Sequence, residues 1–137
     1  MKERIRIRHD KAAGLGFMQS NVAASQSSAP LDVLGLAGNT EFTVPLSGRI
    51  RAISIASNAA RTGGTLSIVP TVDGTAKSIP TAKLDGTNTT YHYGTSEWND
   101  SPYFTVGQRI GVKITTDASW APITANVVVT VFIELEE

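Results

Sequence analysis

The sequence contains no cysteine, so neither a disulfide framework nor a thiolate site can be built from it. Histidine is scarce as well. His9 and His92 lie far apart and belong to no patterned ligand set, so even a His9–Asp10 pair reads as surface or interface chemistry rather than a metal site. Charge of one sign is missing: 12 basic and 12 acidic residues cancel, which removes a global field toward nucleic acid or anionic membrane. Charged residues make up 18% of the chain against the usual roughly 25%, which leaves much of the polarity to Thr, Ser, Gly and Asn. No apolar run approaches the roughly 20 residues a membrane helix needs. The charged first residues lead into no apolar stretch, so no secretory signal is expected.

Catalytic patterns are equally absent. Gly14 and Gly16 lack the third glycine of a dinucleotide loop (Gln19 stands there), and no βαβ pattern follows. The aspartates at 10, 32, 73, 85, 100 and 117 form no spaced calcium loop, and no serine sits in a Gly-x-Ser-x-Gly elbow. Nothing points to a glycosidase carboxylate pair. The reading is a protein that is not an enzyme, with no cofactor and no metal.

What is present is period-two alternation. Ile110, Val112 and Ile114 alternate with Arg109, Gly111 and Lys113. Val127, Val129, Val131, Ile133 and Leu135 form one row, and Val128, Thr130, Phe132, Glu134 and Glu136 the other. Both runs predict strands with one face on a core. The Asp-, Ser- and Pro-containing loop between them predicts that they are antiparallel partners. Strands are also expected at 41–46 (interrupted by Pro45), 49–57, 65–72, within 77–84, at 89–93 and at 103–106. Leu66, Ile68 and Val72 share one face, and Asp73-Gly74 is the strongest hairpin turn, with Asp85-Gly86 a second. Frequent turns and little helical period predict an all-β fold, an antiparallel β-sandwich or jelly-roll-like barrel.

Residues 1–40 read differently. Ile5 and Ile7 alternate with Arg4, Arg6 and Arg8, and Ile133 and Leu135 with Glu134 and Glu136. The two ends are expected to be sheet neighbours, within a chain or exchanged between subunits, with arginines opposite glutamates. Residues 9–40 show no sustained period and read as an extended arm, so the division is an arm at 1–40 and a β domain at 41–137. Phe17, Met18, Leu34 and Leu36 are its expected contact residues. Tyr91, Tyr93, Trp98 and Trp120 are the loop aromatics to watch, either as packing, as a subunit interface or as a sugar-stacking platform. Arg49, Arg51 and Arg61 are the natural hydrogen-bonding partners at such an interface.

The phrases SGRIRAISIAS (47–57), RTGGTL (61–66), PTVDGT (70–75), LDGTNTTY (84–91) and GQRIGVKITTDASWAP (107–122), with the closing Val-rich strand, resemble small β-rich structural proteins of tailed-phage virions, of capsid decoration or head-fibre type. That resemblance implies a cement protein on the outside of a capsid, made in the host cytoplasm and commonly homotrimeric. Its partners would be itself and the major capsid protein or another virion protein, with neither nucleic acid nor membrane among them. The alternative is a fibre-tip or carbohydrate-binding module built on the aromatic residues.

Overall fold

The Val-rich run near the end of the chain is the middle of a sheet. In the computed structural model, which describes residues 11–136, β12 (Val127–Leu135) lies antiparallel between β1 (Lys11–Gln19) and β5 (Gly48–Ser57). Two short strands, β9 (Tyr91–Thr95) and β10 (Tyr103–Phe104), extend the sheet beyond β5, and β3 (Asp32–Val33) extends it beyond β1. The second sheet is built on β11 (Arg109–Thr116) and β6 (Leu66–Val72), paired antiparallel. Its borders are β2 (Ala29–Pro30) and β4 (Glu41–Thr43) beside β11, and β7 (Thr75–Ala76) and β8 (Ala82–Leu84) beside β6. One short 3-10 turn, Trp98–Asp100, interrupts this all-β order among the described residues.

The two sheets bury their inner rows against each other. Val127, Val129, Val131 and Ile133 from β12 join Ile50, Ile53 and Ile55 from β5. They meet Leu66, Ile68 and Val72 from β6 and Ile110, Val112 and Ile114 from β11 in one core. Each such side chain contributes about 1.5–3 kcal/mol on burial, so the alternation in the sequence has a direct energetic meaning. Phe17 of the first sheet meets Phe42 of the second edge-to-face, with ring centroids 5.4 Å apart, a geometry that aromatic quadrupoles favour.

The fold is a jelly-roll-like sandwich because the chain keeps changing sheets. β1, β3, β5, β9, β10 and β12 lie in one sheet, while β2, β4, β6, β7, β8 and β11 lie in the other. One tight hairpin stays within a sheet: Asp73 and Gly74 join β6 to β7 with φ of 50° and 81°, the left-handed pair that a two-residue hairpin loop requires. The Asp73 carboxylate accepts hydrogen bonds from the Arg109 backbone N–H at 2.9 Å and from Gln108 Nε2 at 3.0 Å. These bonds hold its carboxyl below the usual carboxylate range. Asp85 is held low likewise, by the backbone N–H groups of Asn88 and Thr87.

Two expectations change, and a third is not reached by the described residues. β11 and β12 are not partners, since residues 117–126 carry the chain from one sheet to the other. Alternation reports which face is buried, and both strands bury theirs on the same core from opposite sides. Secondly, residues 11–19, expected within an arm, are a nine-residue strand inside the sheet. Its outward positions are Ala12, Gly14 and Gly16 while Phe17 is buried, so the backbone alternates where the hydropathy does not. Thirdly, the expected pairing of residues 3–8 with the C-terminal strand lies outside the described residues. Glu134 stands opposite Ala12 on one side and Arg49 on the other.

Candidate functional site

The outer face of the first sheet is the candidate site, an open surface rather than a cleft. Register lays its side chains out in rows. Tyr91, Ala56, Val128 and Met18 form one, and Tyr93, Ser54, Thr130 and Gly16 the next. Thr95, Ala52, Phe132 and Gly14 form the third. Tyr91 and Tyr93 are 68% and 65% exposed, and Phe132 and Val128 45% and 44%, so the face offers apolar and aromatic surface to solvent. Small residues between these projections keep it open. A Cβ on Gly14 would lie 3.7 Å from the Phe132 ring, and one on Gly16 would lie 3.3 Å from the Leu34 side chain, which folds over it. An exposed apolar patch of this kind, rimmed by polar groups, is what interaction surfaces look like on soluble proteins.

One end of the face is charged, and a β-bulge makes it so. The ladder between β5 and β12 slips between Phe132 and Ile133, leaving Arg51 as the extra residue. Ile50 therefore points inward, as do Ile53 and Ile55, while Arg49 and Arg51 both stay outside. Arg51 is ion-paired with Glu134 and donates from Nε to the Ser96 carbonyl at 2.9 Å. Arg49 lies 5.2 Å from the centre of the Trp98 ring and 5.3 Å from that of Tyr103, a double cation–π contact. Its NH1 donates to the Ser101 carbonyl at 3.0 Å. Ser101 is itself buried, with its hydroxyl 2.6 Å from that of Ser96 and donating to the Glu97 carbonyl, so the Trp98 turn is anchored where the arginines need it.

The expected contact residues divide by burial. Met18, Tyr91, Tyr93, Trp98 and Glu134 belong to this face. Leu34 and Leu36 are exposed on the turn beyond β3, where Met18, Pro30, Asp32 and Leu36 line a groove of about 450 Å³. Glu136 is half-buried elsewhere, against Pro45, Leu46, Ser47 and Val106, and its N–H donates to Ser47 at 2.8 Å. Arg4, Arg6 and Arg8 lie outside the described residues.

Phe17 and Trp120 are corrections. Both are buried, Phe17 in the sheet interior and Trp120 with its indole N–H donating to the Val22 carbonyl at 3.1 Å. Neither is available to a partner or a sugar, because each fills the space between the sheets. Phe132, Val128 and Tyr103 are exposed on this face beyond the expected contact residues. The signal for the first two was there, since the second row of the C-terminal strand is apolar at positions 128 and 132.

His92 faces the other way, its Nδ1 accepting from the Lys83 N–H at 3.0 Å. Among the described residues no three His, Asp or Glu side chains gather as metal ligands, and no helix is long and apolar enough to cross a membrane.

No protein-family model matches the chain, and no curated relative matches it in sequence. Solved structures do match in fold. A chain of the acid-stable capsid of Helicobacter pylori bacteriophage KHP30 superposes with a TM-score of 0.54 at 10% identity, over 94% of this chain and 91% of that one. A chain of the cyanophage Pam1 capsid gives 0.46 at 13% identity, covering 98% and 91%. A chain of sacbrood virus of honeybee gives 0.41 at 7% identity, covering 98% and 75%. The KHP30 likeness establishes a shared jelly-roll-like architecture along almost the whole of both chains.

Proposed function

We propose that this protein is a structural component of a phage virion, a capsid decoration protein that binds the outer capsid surface and bridges neighbouring subunits. The observation that carries the reading is the outer face of the first sheet, where Phe132, Val128, Tyr91 and Tyr93 stand exposed between small residues with an arginine–aromatic cluster at one end. The fold shared with a chain of the KHP30 capsid supports it. A cement protein works by covering apolar and charged groups at several subunits at once, and a homotrimer multiplies modest contacts into strong attachment. No step of that role calls for catalysis, a cofactor or a metal.

The test uses empty capsids of the phage that carries the gene, assembled without this protein. Purified protein should co-sediment with them and raise their resistance to heat, and light scattering over a dilution series should give the mass of a trimer. Phe132→Lys places a charge in the centre of the exposed face and should abolish co-sedimentation, while the melting temperature stays close to that of the native protein. Native protein that neither sediments with the capsids nor protects them would end this reading.

A glycan-binding role is the second reading, favoured by the exposure of Tyr91 and Tyr93 two residues apart on one strand. It rests on those two tyrosines, since Trp120 is buried. A glycan screen in which Tyr91→Ala/Tyr93→Ala loses a signal that Phe132→Lys retains would support it over the first.

A further inference from the structure

Among the described residues, one buried side-chain polar atom meets no hydrogen-bonding partner, and it is Nε of Arg49. The same guanidinium has no acidic neighbour within ion-pair distance among those residues. The nearby carboxylate, Glu134, is engaged by Arg51. We propose that the Arg49 guanidinium, held against the rings of Trp98 and Tyr103, is an anchor that receives an acidic side chain of the protein on the capsid side of the interface. The proposal rests on the decoration reading and names the chemistry of its contact.

Three features of the cluster lead there. The first is an electrostatic deficit. Arg49 is half-buried, so its charge has lost part of its hydration, and the Ser101 carbonyl and two ring faces return only part of that cost. A carboxylate brought by a partner completes the balance. The second is orientation. Rings on Trp98 and Tyr103 fix the guanidinium in place without neutralising it; Nε is buried and NH1 donates to the Ser101 carbonyl, so a carboxylate meets the terminal-nitrogen end of the planar fork. The third is location. The bulge puts Arg49 on the outer face beside exposed Tyr103, at the end of the apolar rows, where a partner seated on Phe132 also covers the cluster. Arginine, tryptophan and tyrosine are also the residue types in which interface binding energy concentrates. A nucleic-acid phosphate would suit the same fork, but the chain as a whole carries no net charge to hold a polyanion.

The experiment measures binding to the empty capsids for the native protein, Arg49→Gln, Arg49→Lys and Arg109→Gln, each checked by thermal melting. Arg109 lies on the other sheet beside Glu41 and serves as the control for general charge. Arg49→Gln should weaken binding by about 30-fold or more, the scale of an interface hot spot. Arg49→Lys, which keeps the charge and loses the planar fork, should fall in between, and Arg109→Gln should bind as the native protein does. Native binding with Arg49→Gln unchanged would overturn the anchor alone, as would an equal loss in Arg109→Gln. Absence of native binding would remove the decoration reading, and the anchor with it. Inorganic phosphate that displaces the native protein while moderate chloride at the same ionic strength does not would assign the fork to phosphate instead of a protein carboxylate.

Discussion

Asp73 shows how much one side chain can hold. Its backbone takes the left-handed conformation that closes the β6–β7 hairpin, and its carboxylate ties the turn to the start of β11 through Arg109 and Gln108. Because those bonds favour the charged form, its carboxyl titrates below the 3.8 of an unfolded aspartate. The stabilisation is therefore complete above the unfolded value and disappears as pH falls through the lower folded one. Asp73→Asn keeps the turn, since asparagine tolerates the same conformation, but loses the charge. Its melting temperature should be lower than that of the native protein at neutral pH, and the two curves should converge in acid. A difference that stays constant with pH would show that the charge is not its source. The two tryptophans make the opposite point. Trp98 and Trp120 both stand outside strands, yet one clamps two arginines at the surface and the other hydrogen-bonds Val22 in the interior.

At the scale of the element, glycine decides where the two sheets can meet. A Cβ added to Gly94 on β9 would fall 2.0 Å from the Thr81 carbonyl oxygen, which belongs to the segment leading into β8 of the other sheet. Gly94→Ala should push β9 away from that segment and cost about 1–3 kcal/mol or more, read as a drop in the urea midpoint. Tyr91 and Tyr93 would move with it.

The strands that alternate strongly in hydropathy, β6, β11 and β12, were legible, and so was the Asp73-Gly74 turn. The bulge left a trace, because Ile50, Ile53 and Ile55 break the two-residue period once. What stayed hidden has a common cause. β1 presents Ala12, Gly14 and Gly16 outward, so its pattern has no polar row to contrast with Leu15 and Phe17. The fates of Trp120 and Phe17 depend on which element lies across from them, and β11 and β12 carry the same alternation whether they pair or face each other. The candidate face was partly readable for the same reason: β9 and β12 announce which side chains point outward, but not that they share one face.

At the scale of the molecule, the connections matter more than the strands. Most links between the described strands cross between sheets, so contacts join residues distant in sequence, as Gln19 and Val127 are. Such a topology folds as a unit or not at all, and slowly. A chain ending at residue 124 keeps eleven of the twelve strands but leaves β1 and β5 without the strand between them. It should show no cooperative thermal transition and should bind a hydrophobic dye that the native protein excludes. A truncated chain that melted sharply would mean that the second sheet and its core stand alone.

The central position of β12 also sets a timetable. On the ribosome, β1 is made well before β12 and waits with its Val127–Leu135 side unpaired until that strand leaves the exit tunnel. From the emergence of β5 until that of β12 the nascent chain carries two strand edges, on β1 and β5, that fit the same missing partner. Neighbouring nascent chains on one message carry the same pair of edges. A pause in translation between β5 and β12 would thus prolong the interval in which one copy can close on another instead of on itself.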